Sequence, residues 1–143
     1  MIILDTNILS EPMRADANPA VADWLDRQPA DILYLTTVTV AELFLGTELM
    51  PLGGRRSRLE ARIAEVVSTF GEERILPFDA RAARLFAMII ARARGEGRSI
   101  GVADGQIAAV AAVHGFSVAT RDTAPFIAAG VPVIDPWDLG KTE

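Results

Sequence analysis

Five short apolar runs, most of them separated by helical patterns, constrain this chain more than any other feature. The runs are IIL (2–4), ILYLTT (32–37), RILPF (74–78), FSVAT (116–120) and VPVI (131–134). Each is bounded by polar or turn-forming residues. Helical spacing fills 18–28, 39–50, 57–70, 79–95 and 102–115. Asn18 with Pro19, and Asp79 with Gly95, mark helix starts and a stop. Thr37 or Thr39 is the expected start of the helix at 39–50. Leu59, Ile63, Val66, Val67 and Phe70 share one face of 57–70. Strands alternating with helices predict a parallel α/β sheet covered on both sides. The segments 51–58 and 95–101 are expected as loops.

At 143 residues and 50% hydrophobic, the chain suits a single domain over 1–143 with a substantial core. No apolar run reaches the roughly 18 residues of a membrane span, and the opening residues do not form a signal-peptide pattern. A cytoplasmic protein is therefore expected, with no membrane partner. There is no cysteine, so disulfides, thiolate metal sites and thiol catalysis are excluded. The segment 95–101 misses G-x-G-x-x-G because Ile100 stands where the third glycine belongs, and no phosphate-binding P-loop occurs. The one histidine, His114, has no G-x-S-x-G partner for a triad and is expected to cap a helix end.

The chemistry lies in the acids. Asp5 ends the first strand in MIILDTN, and Asp122 follows the fourth in VATRDT. In an open α/β sheet, ligands bind beyond the carboxyl ends of strands at the point where the winding reverses. An order 3-2-1-4-5 would bring Asp5 and Asp122 together there. Glu42 and Asp104 sit in the first turns of otherwise apolar helices that open towards the same edge. Taken singly, each acid also reads as a turn residue, a cap or a solvated side chain. Taken together, four carboxylates repel one another unless cations offset them. Mg²⁺ or Mn²⁺, which favour oxygen ligands, would do so. Such a set suits hydrolysis of phosphodiesters. The net charge of −5 argues against a nucleic-acid partner until those ions are counted.

With these residues placed, the chain resembles the PIN-domain family, specifically VapC-type toxins of type II toxin–antitoxin systems. The likeness is carried by MIILDTNILSE, by LTTVTVAELFLG with Gly46 four residues after Glu42, and by IGVADGQIAAVAAVHGFSVATRDTAPF. It runs from Met1 to about Pro136. The resemblance implies a three-layer α/β/α fold with a five-stranded parallel sheet in the order 3-2-1-4-5. It also implies a metal-dependent endoribonuclease using Mg²⁺ or Mn²⁺. Asp5 and Asp104 would bind metal directly, and Glu42 and Asp122 would take a second ion or act through water. Thr120 would bond Asp5 or a water, and Thr6 and Asn7 would orient Asp5. The implied partners are an RNA substrate, a cognate antitoxin presenting an arginine to the acids, and a second copy of the chain. Phe86, Ile89 and Ile90 and the helix at 57–70 are candidate dimer surface or core.

Other readings remain beside it. A phosphoacceptor domain would need paired acids after the first strand and a lysine after the fifth, whereas the only lysine is Lys141. A D-x-D phosphatase would need an acid where Asn7 stands. A catalytically inactive PIN-fold binding module is the third. Arg55, Arg56, Arg58 and Arg62, and Arg92, Arg94 and Arg98, are either solvated helix ends or grips for RNA phosphates. Trp24 and Trp137 are expected to pack rather than stack on bases.

Overall fold

The computed structural model describes residues 1–139; Lys141 and the end of the expected 1–143 domain lie outside the described residues. Five parallel strands form one sheet in the order 3-2-1-4-5. They are β1 (Ile2–Leu4), β2 (Leu33–Thr36), β3 (Ile75–Leu76), β4 (Ser117–Ala119) and β5 (Val133–Ile134). The helices are α1 (Thr6–Ser10), α2 (Pro19–Arg27), α3 (Thr37–Glu48), α4 (Gly54–Phe70), α5 (Ala80–Gly95), α6 (Val102–His114) and α7 (Ala124–Ala128). Among the described residues no helix is long and apolar enough to cross a membrane.

The sheet divides the core in two, as strand alternation requires. Ile3 and Val118 join Ile107, Val110 and Phe126 on one face, while Ile2, Leu4, Leu35 and Ala119 join Ile8, Val21, Leu43 and Ile63 on the other. Burying each large aliphatic side chain stabilises the fold by about 1.5–3 kcal/mol. β1 runs through the middle of the sheet and pairs with both β2 and β4.

α3 begins at Thr37, the earlier of its two expected starts, and its cap is Thr36: the Thr36 hydroxyl accepts the Thr39 N–H at 3.0 Å. Several elements depart from the sequence expectation. The expected loop 51–58 is helical from Gly54, after Gly53 at φ 153°. The third strand starts at Ile75, since Arg74 belongs to a 3₁₀ turn and its guanidinium donates to the carbonyls of Ala30, Leu33 and Thr69. α1, α7 and a 3₁₀ turn at Glu11–Met13 are additional. By contrast, Asn18 caps α2, Asp79 caps α5 and Gly115, at φ 68°, closes α6. His114 is not itself a cap; its ring lies 5.4 Å from that of Phe116.

Of the α5 residues weighed as dimer surface or core, Ile89 falls in the core. Phe86 and Ile90 pack on α6 at Gly105. A methyl group at Gly105 would lie 2.9 Å from Phe86 Cε2 and 3.0 Å from Ile90 Cδ1. The absent side chain is therefore what lets the two helices approach. Trp24 and Trp137 pack against the core on the other face.

Candidate active site

The strand register creates the site. Leu4 pairs with Ala119 across β1 and β4, and the Asp5 N–H donates to the Ala119 carbonyl at 3.0 Å. The next residue of each strand, Asp5 and Thr120, therefore face each other where the strands end. Both side chains are buried. The Thr120 hydroxyl donates to Asp5 Oδ2 at 2.8 Å, and its oxygen accepts the Asp122 N–H at 3.1 Å.

Asp5 also begins α1. Its Oδ1 accepts the Thr6 N–H at 2.8 Å, which satisfies one of the open donors of that helix. The Asn7 side-chain amide donates from Nδ2 to Asp5 Oδ2 at 3.3 Å, and its Oδ1 accepts the Arg121 N–H at 3.2 Å. An ionised carboxylate offers about four acceptor positions. Three donors occupy Asp5, which leaves room for one more ligand.

Glu42 reaches the site from α3. The Thr6 hydroxyl donates to Glu42 Oε1 at 2.8 Å. The sequence placed Thr6 beside Asp5 as an orienting group; its backbone does orient Asp5, but its hydroxyl holds Glu42 instead. Asp104 is the third residue of α6, after Gly101, which supplies no side-chain cap. It is thus not the cap of its helix. Its carboxyl is pushed up to about 6, first by burial and then by the negative charges of Asp5, Asp122 and Glu42. Burial likewise raises Asp5, with Asp122 adding to the rise and the bonds from Thr120, Thr6 and Asn7 opposing it. These charges place Asp5, Asp122 and Glu42 within electrostatic reach of Asp104, and Asp122 within reach of Asp5.

The acids are near neighbours without forming a closed cage. Among the described residues no three carboxylates are gathered tightly enough to hold a metal ion by themselves. The donor set is nonetheless all oxygen. It suits cations that keep several waters and take only one or two carboxylates, as Mg²⁺ does.

Two grooves flank the acids. One, of about 530 Å³, is lined by Thr6, Glu42, Gly46, Arg14, Arg55 and neighbouring apolar residues. The other, also about 530 Å³, is lined by Asp122, Arg98, Ser99 and residues of α7. Of the two arginine clusters, Arg55 and Arg98 line these grooves. Arg92 has a structural role, donating to the Ala129 carbonyl at 2.8 Å, and Arg56 pairs with Glu48.

A family model described as PIN domain matches residues 2–131. The VapC ribonuclease Y4jK of Sinorhizobium fredii is 49% identical over 138 residues, covering 96% of this chain and 99% of that protein. Toxin FitB of Neisseria gonorrhoeae is 44% identical over 137 residues, covering 96% and 99% respectively. A crystal structure of FitAcB from Neisseria gonorrhoeae matches with a TM-score of 0.92 and 45% identity, covering 97% of this chain and 100% of that one.

Proposed function

This chain belongs to the PIN-domain family, and from that premise we propose that it is a divalent-metal-dependent endoribonuclease, the toxin of a type II toxin–antitoxin pair. The observation that carries the reading is the convergence of Asp5, Glu42, Asp104 and Asp122 at the ends of β1 and β4. A carboxyl raised to about 6 by burial and then by three other acids marks a place where added positive charge is favourable. The similarity to a protein named as a VapC ribonuclease supports RNA as the substrate.

Asp5 and Asp104 would hold Mg²⁺ or Mn²⁺ directly, with Glu42 and Asp122 acting through water or at a second ion. The chemistry supplied on binding is activation of water and neutralisation of charge on the phosphodiester. The chain's own residues prepare for this. Thr120 and Asn7 fix one oxygen of Asp5, while the Thr6 N–H fixes the other. The Thr6 hydroxyl fixes Glu42. Asp104 releases its proton near neutral pH, so the pocket becomes most negative where a divalent cation competes best for it.

A cognate antitoxin follows from the toxin reading, since a ribonuclease of this kind needs restraint in the cell that makes it. The acidic pocket would accept an arginine of that partner for the same electrostatic reason that it accepts a metal. The homodimer expected from the resemblance would have to use residues other than Ile89.

The test is direct. The full chain, purified free of antitoxin, should cleave single-stranded RNA in Mg²⁺ or Mn²⁺ and stop on addition of EDTA. Expression alone should slow growth, and co-expression of the antitoxin should restore it. Cleavage by Asp5→Asn at the wild-type rate would sink the mechanism. Failure of the purified chain to cut RNA under any divalent ion would favour an inactive binding module.

A further inference from the structure

The groove beside Asp122 holds one arginine whose backbone is fixed and whose side chain is uncommitted. Just past the end of α5, Gly97 lies in the left-handed region at φ 72°. The Gly97 N–H donates to the Arg94 carbonyl at 3.1 Å and the Arg98 N–H to the Ala93 carbonyl at 2.8 Å. This paired closure sets the direction in which the chain leaves the helix. It anchors Arg98 against Ala93, which is buried. Among the described residues the guanidinium pairs only with Glu96, at a long 4.0 Å, with both side chains about half exposed. Such an exposed pair contributes little and gives way readily to a stronger anion.

The rest of the groove lining is equally fixed. Thr120 accepts the Asp122 N–H. Ala124, Pro125, Ile127 and Ala128 of α7 form an apolar wall. That helix is tied to α5 through the bond from Arg92 to Ala129. A cation, an acid of the site and apolar residues lining one groove fit a nucleotide: its phosphate would meet Arg98 and its sugar or base would lie on α7.

We infer that Arg98 binds the RNA phosphate next to the scissile one, so that the substrate strand enters the site along the Arg98–Ser99 groove. This rests on the ribonuclease reading above. Arg94 is the matched control, an exposed arginine from the same segment that does not line the groove.

The experiment measures binding and cleavage separately. Binding of a fluorescent single-stranded oligoribonucleotide to the full-length Asp104→Asn chain is followed over a range of salt concentrations. Adding Arg98→Ala should reduce the slope of log K against log salt by about 0.7, the amount for one phosphate contact on a single strand. Adding Arg94→Ala should leave it unchanged. In otherwise wild-type protein, Arg98→Ala should raise KM about three- to fivefold with kcat nearly constant, and Arg98→Lys should recover part of the loss. If the wild-type chain cuts RNA but Arg98→Ala matches Arg94→Ala in slope and KM, the subsite is wrong and the nuclease reading stands. If no chain cuts RNA but the slope falls only with Arg98→Ala, the nuclease reading fails and the phosphate site stands. Weaker antitoxin binding by Arg98→Ala, with the RNA slope unchanged, would also overturn the inference.

Discussion

The Thr120 hydroxyl stands 2.8 Å from Asp5 Oδ2 and accepts the backbone N–H of Asp122 at 3.1 Å, so one side chain ties two of the four acids together. It is fully buried and bridges 115 residues of sequence. Thr120→Val preserves shape but removes the donor to Asp5 and the acceptor for Asp122. Metal affinity, read by titrating cleavage with Mg²⁺, should fall roughly 10–100-fold, as when an outer partner of a ligand is lost. Thr120→Ser should restore most of it. An unchanged metal requirement in Thr120→Val would show that Asp5 is oriented by other means.

Asp104 carries the pH dependence. Its ordinary value is 3.8, and burial with three neighbouring acids raises it to about 6 in the folded chain. Between those two values the folded chain holds a proton that the unfolded chain has released. The contribution of this group to stability is therefore full below 3.8, declines as pH rises and is lost above about 6. Asp5 shifts in the same direction. In EDTA, Tm should fall across this window, and Asp104→Asn should flatten the fall. Mg²⁺ should raise Tm more above the window than at its lower end. Thermal melts at several pH values check all of these outcomes.

Gly105 offers a test of packing. Since a methyl group there would press on Phe86 and Ile90, Gly105→Val should destabilise the fold by about 1–3 kcal/mol. Adding Phe86→Leu should recover part of the loss. Urea denaturation of the single and double variants measures both. Independent effects would mean that the α5–α6 contact adjusts more freely than its spacing implies.

The elements easiest to foresee were those with chemical punctuation. α2, α5 and α6 are framed by Asn18, Asp79 and Gly115, and each lies close to its expected range. α1 and α7 have five residues each, too few to show a helical period. The two glycines at 53 and 54 suggested a loop throughout, yet only Gly53 adopts a backbone that favours glycine. At the site, the positions of Asp5 and Asp122 followed from strand ends. The bond from Thr6 to Glu42 did not, because it joins residues 36 apart through a helix approach that local sequence does not encode.

The central position of β1 also has a consequence in time. Asp5 leaves the ribosome early, but the strand that completes its surroundings is translated more than a hundred residues later. At about 5–20 residues per second, several seconds separate the two events. On the proposed function, the nascent chain lacks a complete site for most of its synthesis, and an arrested product ending at Gly115 should leave RNA intact.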